Sequence, residues 1–245
     1  MNLLKASALV LLLAGCAREQ MSDCFKGAGA VMEDRRDVAG FTRIEMNDEV
    51  DVRITQDTSL SMPEVTVMAG RNVVPNVKAE VESGTIRISN TMRCNWVRRL
   101  DERPLVNIRL PRLDGILNQG QGDLSSTNTI HGAEIRIEQW DGHGTIALHL
   151  DVGHCHVELH TGVGDVMLSG HAHSAYYYTA TLSRVDAVEL EASTVQVNCT
   201  GIPDLKCRAT QTLNAELSSL GNVYYAGDPP VVQATVTGQG QLLPL

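Results

Sequence analysis

Aromatic residues make up only 4% of this 245-residue chain: two Phe, two Trp and five Tyr. A β-sandwich core leans on such rings, so their scarcity points to a core of stacked Val, Ile and Leu. Helical periodicity is also nearly absent, since no segment repeats apolar residues at i, i+3, i+4 and i+7 over three turns. Dense runs of Lys or Arg are missing. The nearest approach, Arg98-Arg99 with Arg103, is interrupted by Asp101 and Glu102, and the net charge is −9. That balance excludes nucleic acid as the expected partner. Neither a Gly-x-Ser-x-Gly elbow nor a His-Glu-x-x-His motif occurs, so two common hydrolase signatures are lacking. A hydrophobic fraction of 43% and a mean hydropathy of −0.08 nevertheless describe a folded body.

What is present is a recurring Gly-x-Gly mark. Copies begin at Gly120, Gly142 and Gly162, 22 and then 20 residues apart, with a weaker one at Leu220-Gly221-Asn222 and a last one at Gly238-Gln239-Gly240. Strand-like alternation fills the intervals: Ile146, Leu148 and Leu150 in one, Val157 and Leu159 in another. A fixed period of this size signals stacked coils. The spacing predicts a β-solenoid with glycines where the backbone turns sharply or takes positive φ. Ile146, Leu148, Val157, Leu159, Val166 and Leu168 are its expected inner residues. The copy at Ala180-Thr181-Leu182-Ser183 has lost both glycines, which leaves coil geometry there open.

The first residues read as a targeting segment. Lys5 precedes an apolar stretch, Ala6 to Leu13, too short to span a bilayer. It ends in Leu13-Ala14-Gly15-Cys16, which resembles the bacterial lipobox and implies cleavage before Cys16 and lipidation of its thiol. No Asp follows Cys16, so the inner-membrane retention signal is missing and the outer membrane is the expected address. Five cysteines remain: Cys24, Cys94, Cys155, Cys199 and Cys207. Cys199 and Cys207 flank a turn-rich stretch and are the expected disulfide; Cys24 can pair with Cys94, leaving Cys155 free.

Residues 1–15 are thus read as a lipoprotein signal peptide, 16–40 as a lipidated polar tether, and 41–245 as one body. That body opens with a hairpin-rich segment, marked by Ser83-Gly84 turning into Thr85-Ile86-Arg87-Ile88. Further motifs are Phe41-Thr42-Arg43-Ile44 with Val50-Asp51-Val52-Arg53-Ile54, then Val106-Asn107-Ile108-Arg109-Leu110-Pro111-Arg112-Leu113. With the Gly-x-Gly marks and the terminal run Leu213 to Pro229, they resemble the putative auto-transporter adhesin head GIN domain family of bacterial envelope proteins. The resemblance covers roughly 41 to 245. It implies an all-β, right-handed parallel β-helix and supplies no catalytic residue.

All eight histidines lie between His131 and His173. On a strand with Val157 and Leu159 inward, His154, His156, Glu158 and His160 share the outer face. If the next coil brings His171 and His173 alongside, His154, His156, His160, His171 and His173 form a candidate zinc, copper or nickel site. The alternative is a polar outer face without coordination. Asp123 and Asp165 follow glycine marks and are expected to hydrogen-bond their own turns. Asp141, Asp151 and Asp165 are candidate carboxylates for a polysaccharide hydrolase or lyase. Within Tyr176-Tyr177-Tyr178, Tyr177 is expected to face opposite its neighbours, and the run can contribute to a sugar-stacking surface. Taken together, these features lead to a non-enzymatic outer-membrane lipoprotein presenting a solenoid surface for adhesion or envelope assembly. Its partner is an unidentified envelope protein or polysaccharide, on the periplasmic or the outer side. The alternatives are a carbohydrate-active enzyme on the same scaffold and a histidine-rich periplasmic metal-binding protein.

Overall fold

A computed structural model describes residues 27–92, 103–180 and 182–245. Alternating apolar residues carry the chain through seventeen strands with no α-helix among the described residues, wound as a parallel β-solenoid of about six turns. Each coil has two faces. Face A comprises β2 (Arg43–Asp48), β6 (Thr85–Asn90), β8 (Gly115–Gly120), the second half of β10 (Ile130–Gln139), and the second halves of four long strands. These are β11 (Thr145–Leu159), β12 (Asp165–Thr179), β13 (Arg184–Cys199) and β14 (Leu205–Leu217), followed by β16 (Val231–Val236). Face B comprises β3 (Asp51–Gln56), β7 (Leu105–Leu110), β9 (Leu124–Ser126), the first halves of β11 to β14, β15 (Val223–Ala226) and β17 (Leu242–Pro244). The core lies between the faces as ladders such as Ile146–Val166 and Leu148–Leu168, and the six expected inner residues are all buried. Burial of these ladders is the main term holding the coils together.

The coils do not stack in chain order at the N-terminal end. β2 lies between β6 and β8, and β3 between β7 and β9, so the first coil is inserted between the second and third. The hairpin-rich segment is therefore part of the stack. Beyond it, β5 (Val77–Glu82) pairs antiparallel with β6, and β4 (Glu64–Gly70) pairs antiparallel with β7, closing this end of the ladder. β1 (Val31–Arg36) in turn pairs antiparallel with β4. Six residues assigned to the polar tether are thus built into the fold, with Arg35 on Glu64 at 3.1 Å.

The repeated glycines answer to close approach between coils more than to backbone sign. Gly162 has φ +107°, but Gly144 and Gly122 do not take positive φ. A Cβ on Gly144 would overlap the Gly122 carbonyl, and one on Gly122 would overlap that of Val50. The corner without glycines is one residue shorter: Asp165 aligns with Arg184, 19 positions on, whereas Ser169 aligns with Glu189, 20 positions on. A bulge in β13 restores the period, as bulges do when one strand must absorb an extra residue. Asp123 does not bond its own turn. Its Oδ1 accepts the N–H of Thr145 in the next coil at 2.8 Å, and Asp165 holds Arg184 at 2.7 Å.

Candidate functional site

The twenty-residue register decides which outward side chains meet. On face A, His154 aligns with Ser174, His156 with Tyr176 and Glu158 with Tyr178. His171 aligns with Asp151, in the strand segment that joins the two faces. The expectation that His171 and His173 lie alongside His154, His156 and His160 is therefore corrected: in register His171 falls opposite Asp151 and His173 just before His154, well short of His160. His154 meets His173 edge-on at 6.3 Å and donates to or accepts from Ser174 at 2.7 Å. Among the described residues no three His, Cys, Asp or Glu side chains gather closely enough to hold a metal ion.

What the register assembles instead is a cluster of rings. The Trp140 indole and His160 imidazole stack with centroids 4.1 Å apart and planes 15° apart. Tyr178 lies 5.3 Å from His160, and Tyr176 5.9 Å from His156. Trp140 remains 44% exposed. Three of the nine aromatic residues of the chain thus share one outer patch, together with two imidazoles. The alternation within the Tyr run is as expected: Tyr177 is fully buried and its neighbours face out.

Three outward columns continue from the rings toward the C-terminal end. They read Ser174, Thr194, Thr212, Val231; then Tyr176, Gln196, Asn214, Gln233; then Tyr178, Asn198, Glu216, Thr235. Glu216 is the one charge among them. Hydroxyls and amides stand about 4.8 Å apart along each column, and Asn214 Oδ1 has no hydrogen-bond partner. On the other side of the rings the face is ionic. Arg136 binds Glu158 at 2.7 Å and Glu138 at 2.8 Å, and the Glu158 hydrogen bond raises its pKa above the usual arginine value. Burial, reinforced by Glu158, also pushes the Tyr176 phenol up. Arg136 and Glu138 further border a concavity of about 690 Å³ with Gly115 and Leu117 on β8. Face B is patterned differently, with cross-coil ion pairs Arg184–Asp165 and Lys206–Asp186.

The candidate carboxylates do not converge. Asp141 sits at the glycine corner with its N–H on Thr161, Asp151 holds His131 at 3.1 Å, and Asp165 is paired on face B. Cys199 and Cys207 are not bridged. Cys199 aligns with Leu217 on face A and Cys207 with Ala187 on face B, so the turn between them separates the two faces, and both are buried free thiols. Burial pushes the Cys155 and Cys207 thiols up to about 12. Cys16 with the tetrad it closes, Cys24 and Cys94 lie outside the described residues. Trp140, which completes the ring cluster, was the residue sequence reading missed. Its signal was the twenty-residue offset from His160.

Solved structures resemble this architecture. A putative adhesin from Bacteroides fragilis superposes with a TM-score of 0.80 at 24% identity, covering 88% of this chain and 97% of its own. A putative lipid binding protein from Parabacteroides distasonis gives 0.63 at 18% identity, covering 89% and 98%. A putative adhesin from Parabacteroides merdae gives 0.62 at 18%, again over 89% and 98%. Among curated proteins no sequence matches. A family model matches residues 40–229, from just before the first coil to just beyond β15, and by this match the chain belongs to the family described as putative auto-transporter adhesin, head GIN domain.

Proposed function

We propose that this protein is a non-enzymatic, adhesin-like outer-membrane lipoprotein that binds its partner through face A. The observation that carries the reading is the ring cluster opening onto three nearly uncharged columns, a surface unlike the ion-paired face B. Support comes from the family and from the solved neighbours named as putative adhesins. The scattered carboxylates favour binding over glycoside chemistry, which needs two carboxyl groups flanking one bond. The anchor rests on Leu13-Ala14-Gly15-Cys16. In this reading the lipid holds the chain at the membrane, and β1, fastened to β4, fixes where the solenoid begins.

Two experiments on the full chain test the two halves. Cys16→Ser should shift the protein from the outer-membrane pellet to the soluble fraction; continued pelleting after a salt wash would refute the anchor. A photo-crosslinking residue placed at Gln196 on face A should yield adducts in producing cells, and one at Met167 on face B should not. Adducts from Met167 alone would refute the binding face.

A further inference from the structure

We propose that the ligand of face A is a neutral polysaccharide, whose pyranose rings pack on Trp140, Tyr176 and Tyr178 while its hydroxyls bond the amides beside them. The inference rests on face A being the binding surface and adds the chemistry of its occupant. Three observations carry it.

First, the rings stand on the outer face, Trp140 exposed and Tyr176 and Tyr178 half-buried, where a packing role would bury them fully. Trp140 is 44% exposed although His160 covers part of its indole, and the buried core takes its aromatics from Phe41 and Tyr177. An amphipathic ring left at a surface offers apolar area at small entropic cost, as ligand-contacting Trp and Tyr do. The C–H faces of a pyranose are apolar in the same way, and its hydroxyls are not.

Second, the polar groups beyond the rings are neutral apart from Glu216. Gln196, Asn198 and Asn214 are primary amides, each both donor and acceptor, which suits a hydroxyl that also does both. Threonine hydroxyls stand in the column alongside.

Third, charge selects against the other occupants. A polyanion would meet Glu158 and Glu216 on a chain of net charge −9, with the nearby Arg136 already held by two carboxylates. A basic protein would be drawn to the acids bordering the concavity at the other end of the face, away from the amides. A neutral polyol pays neither penalty. The columns repeat at the coil spacing, so they fit an extended chain better than a compact small molecule.

The test is electrophoresis of the full chain bearing Cys16→Ser through native gels containing soluble polysaccharides: neutral glucan, mannan and galactan, and anionic polygalacturonate. At least one neutral polymer should retard it, and raised salt should not release it. Trp140→Ala and Tyr178→Ala should each weaken retardation about tenfold, as anchor residues do. Met167→Ala on face B should leave it unchanged, and circular dichroism should show every variant folded. With Trp96→Phe, Trp140 is the sole tryptophan, and its emission should shift on saturation. Retardation by polygalacturonate alone, abolished by salt, would overturn the proposal. So would neutral binding that survives both ring changes. Absence of retardation in every gel would also sink it. In that case crosslinks from Gln196 to protein would show that face A still binds, and their absence would remove the face reading as well.

Discussion

The phenol of Tyr177 is the least comfortable group in the core, and removing it should stabilise the protein. Its side chain is fully buried in β12, between Val157 and Val197 of the adjoining coils. The hydroxyl has no hydrogen-bond partner. A buried unsatisfied hydroxyl costs about 1–3 kcal/mol. Tyr177→Phe keeps the ring and removes that cost. The vacated space opposes the gain only weakly: even a full water volume of about 30 Å³ left empty costs about 0.7 kcal/mol. The expected net gain is about 0.5–2 kcal/mol at neutral pH, read as a rise of about 2–4 °C in Tm per kcal/mol for a domain of this size. Urea unfolding supplies the free energy independently. The gain should widen in alkali. Burial first, then the Cys155 and Cys207 thiols, raises the folded phenol well above its usual value of 10. The unfolded phenol ionises near pH 10 and the folded one does not, so the wild-type chain loses stability as pH rises beyond that point and the Phe variant does not share this loss. A destabilisation of about 1 kcal/mol or more by Tyr177→Phe would mean that the hydroxyl has a partner, and the reasoning would fail.

The buried thiols follow the same sign rule. Folded values of about 12 against 9 unfolded should remove about 1.4 kcal/mol per pH unit per thiol between pH 9 and 12; changing both Cys155 and Cys207 to Ala should flatten that slope in alkaline unfolding curves. Iodoacetamide at pH 8 should leave Cys155, Cys199 and Cys207 unlabelled in the native protein and label all three in guanidinium, whereas a Cys199–Cys207 disulfide peptide by mass spectrometry would contradict the structure. Leu159→Asp should abolish folding by placing an unpaired charge in the ladder, while His160→Asp, one position on and facing out, should still give a folded circular dichroism spectrum. Gly144→Val should cost several kcal/mol, because its side chain would meet the Gly122 backbone and not a movable group; a melting temperature equal to that of wild type would refute the close-approach account.

The inward positions were legible because β alternation fixes parity within each strand: once Val157 and Leu159 are inside, His154, His156 and His160 must be outside. Lateral pairing was not so legible, because it depends on coil length to the residue. The register leaves His171 and His173 opposite the start of the histidine run and sets Tyr176 and Tyr178 against His156 and Glu158 instead. The disulfide misreading has a related origin. Eight positions separate Cys199 from Cys207, but a solenoid corner intervenes and sends them to opposite faces. Insertion of the first coil between the second and third was invisible, since β2 and β3 carry ordinary alternation whether they stack in chain order or out of it. The strand role of Val31–Arg36 was hidden by its charges, which lie on an exposed edge where only backbone pairing to β4 is needed.

Hydroxyl-radical footprinting measures the central claim, that face A is the surface that binds, without assuming what the ligand is. The full chain bearing Cys16→Ser would be oxidised alone and after incubation with envelope material from producing cells, and side-chain modification read by mass spectrometry. The account predicts that Trp140, Tyr176 and Tyr178 become protected, while Met167, 51% exposed on face B, is oxidised equally in both samples. Protection of Met167 with the three rings unchanged would contradict it.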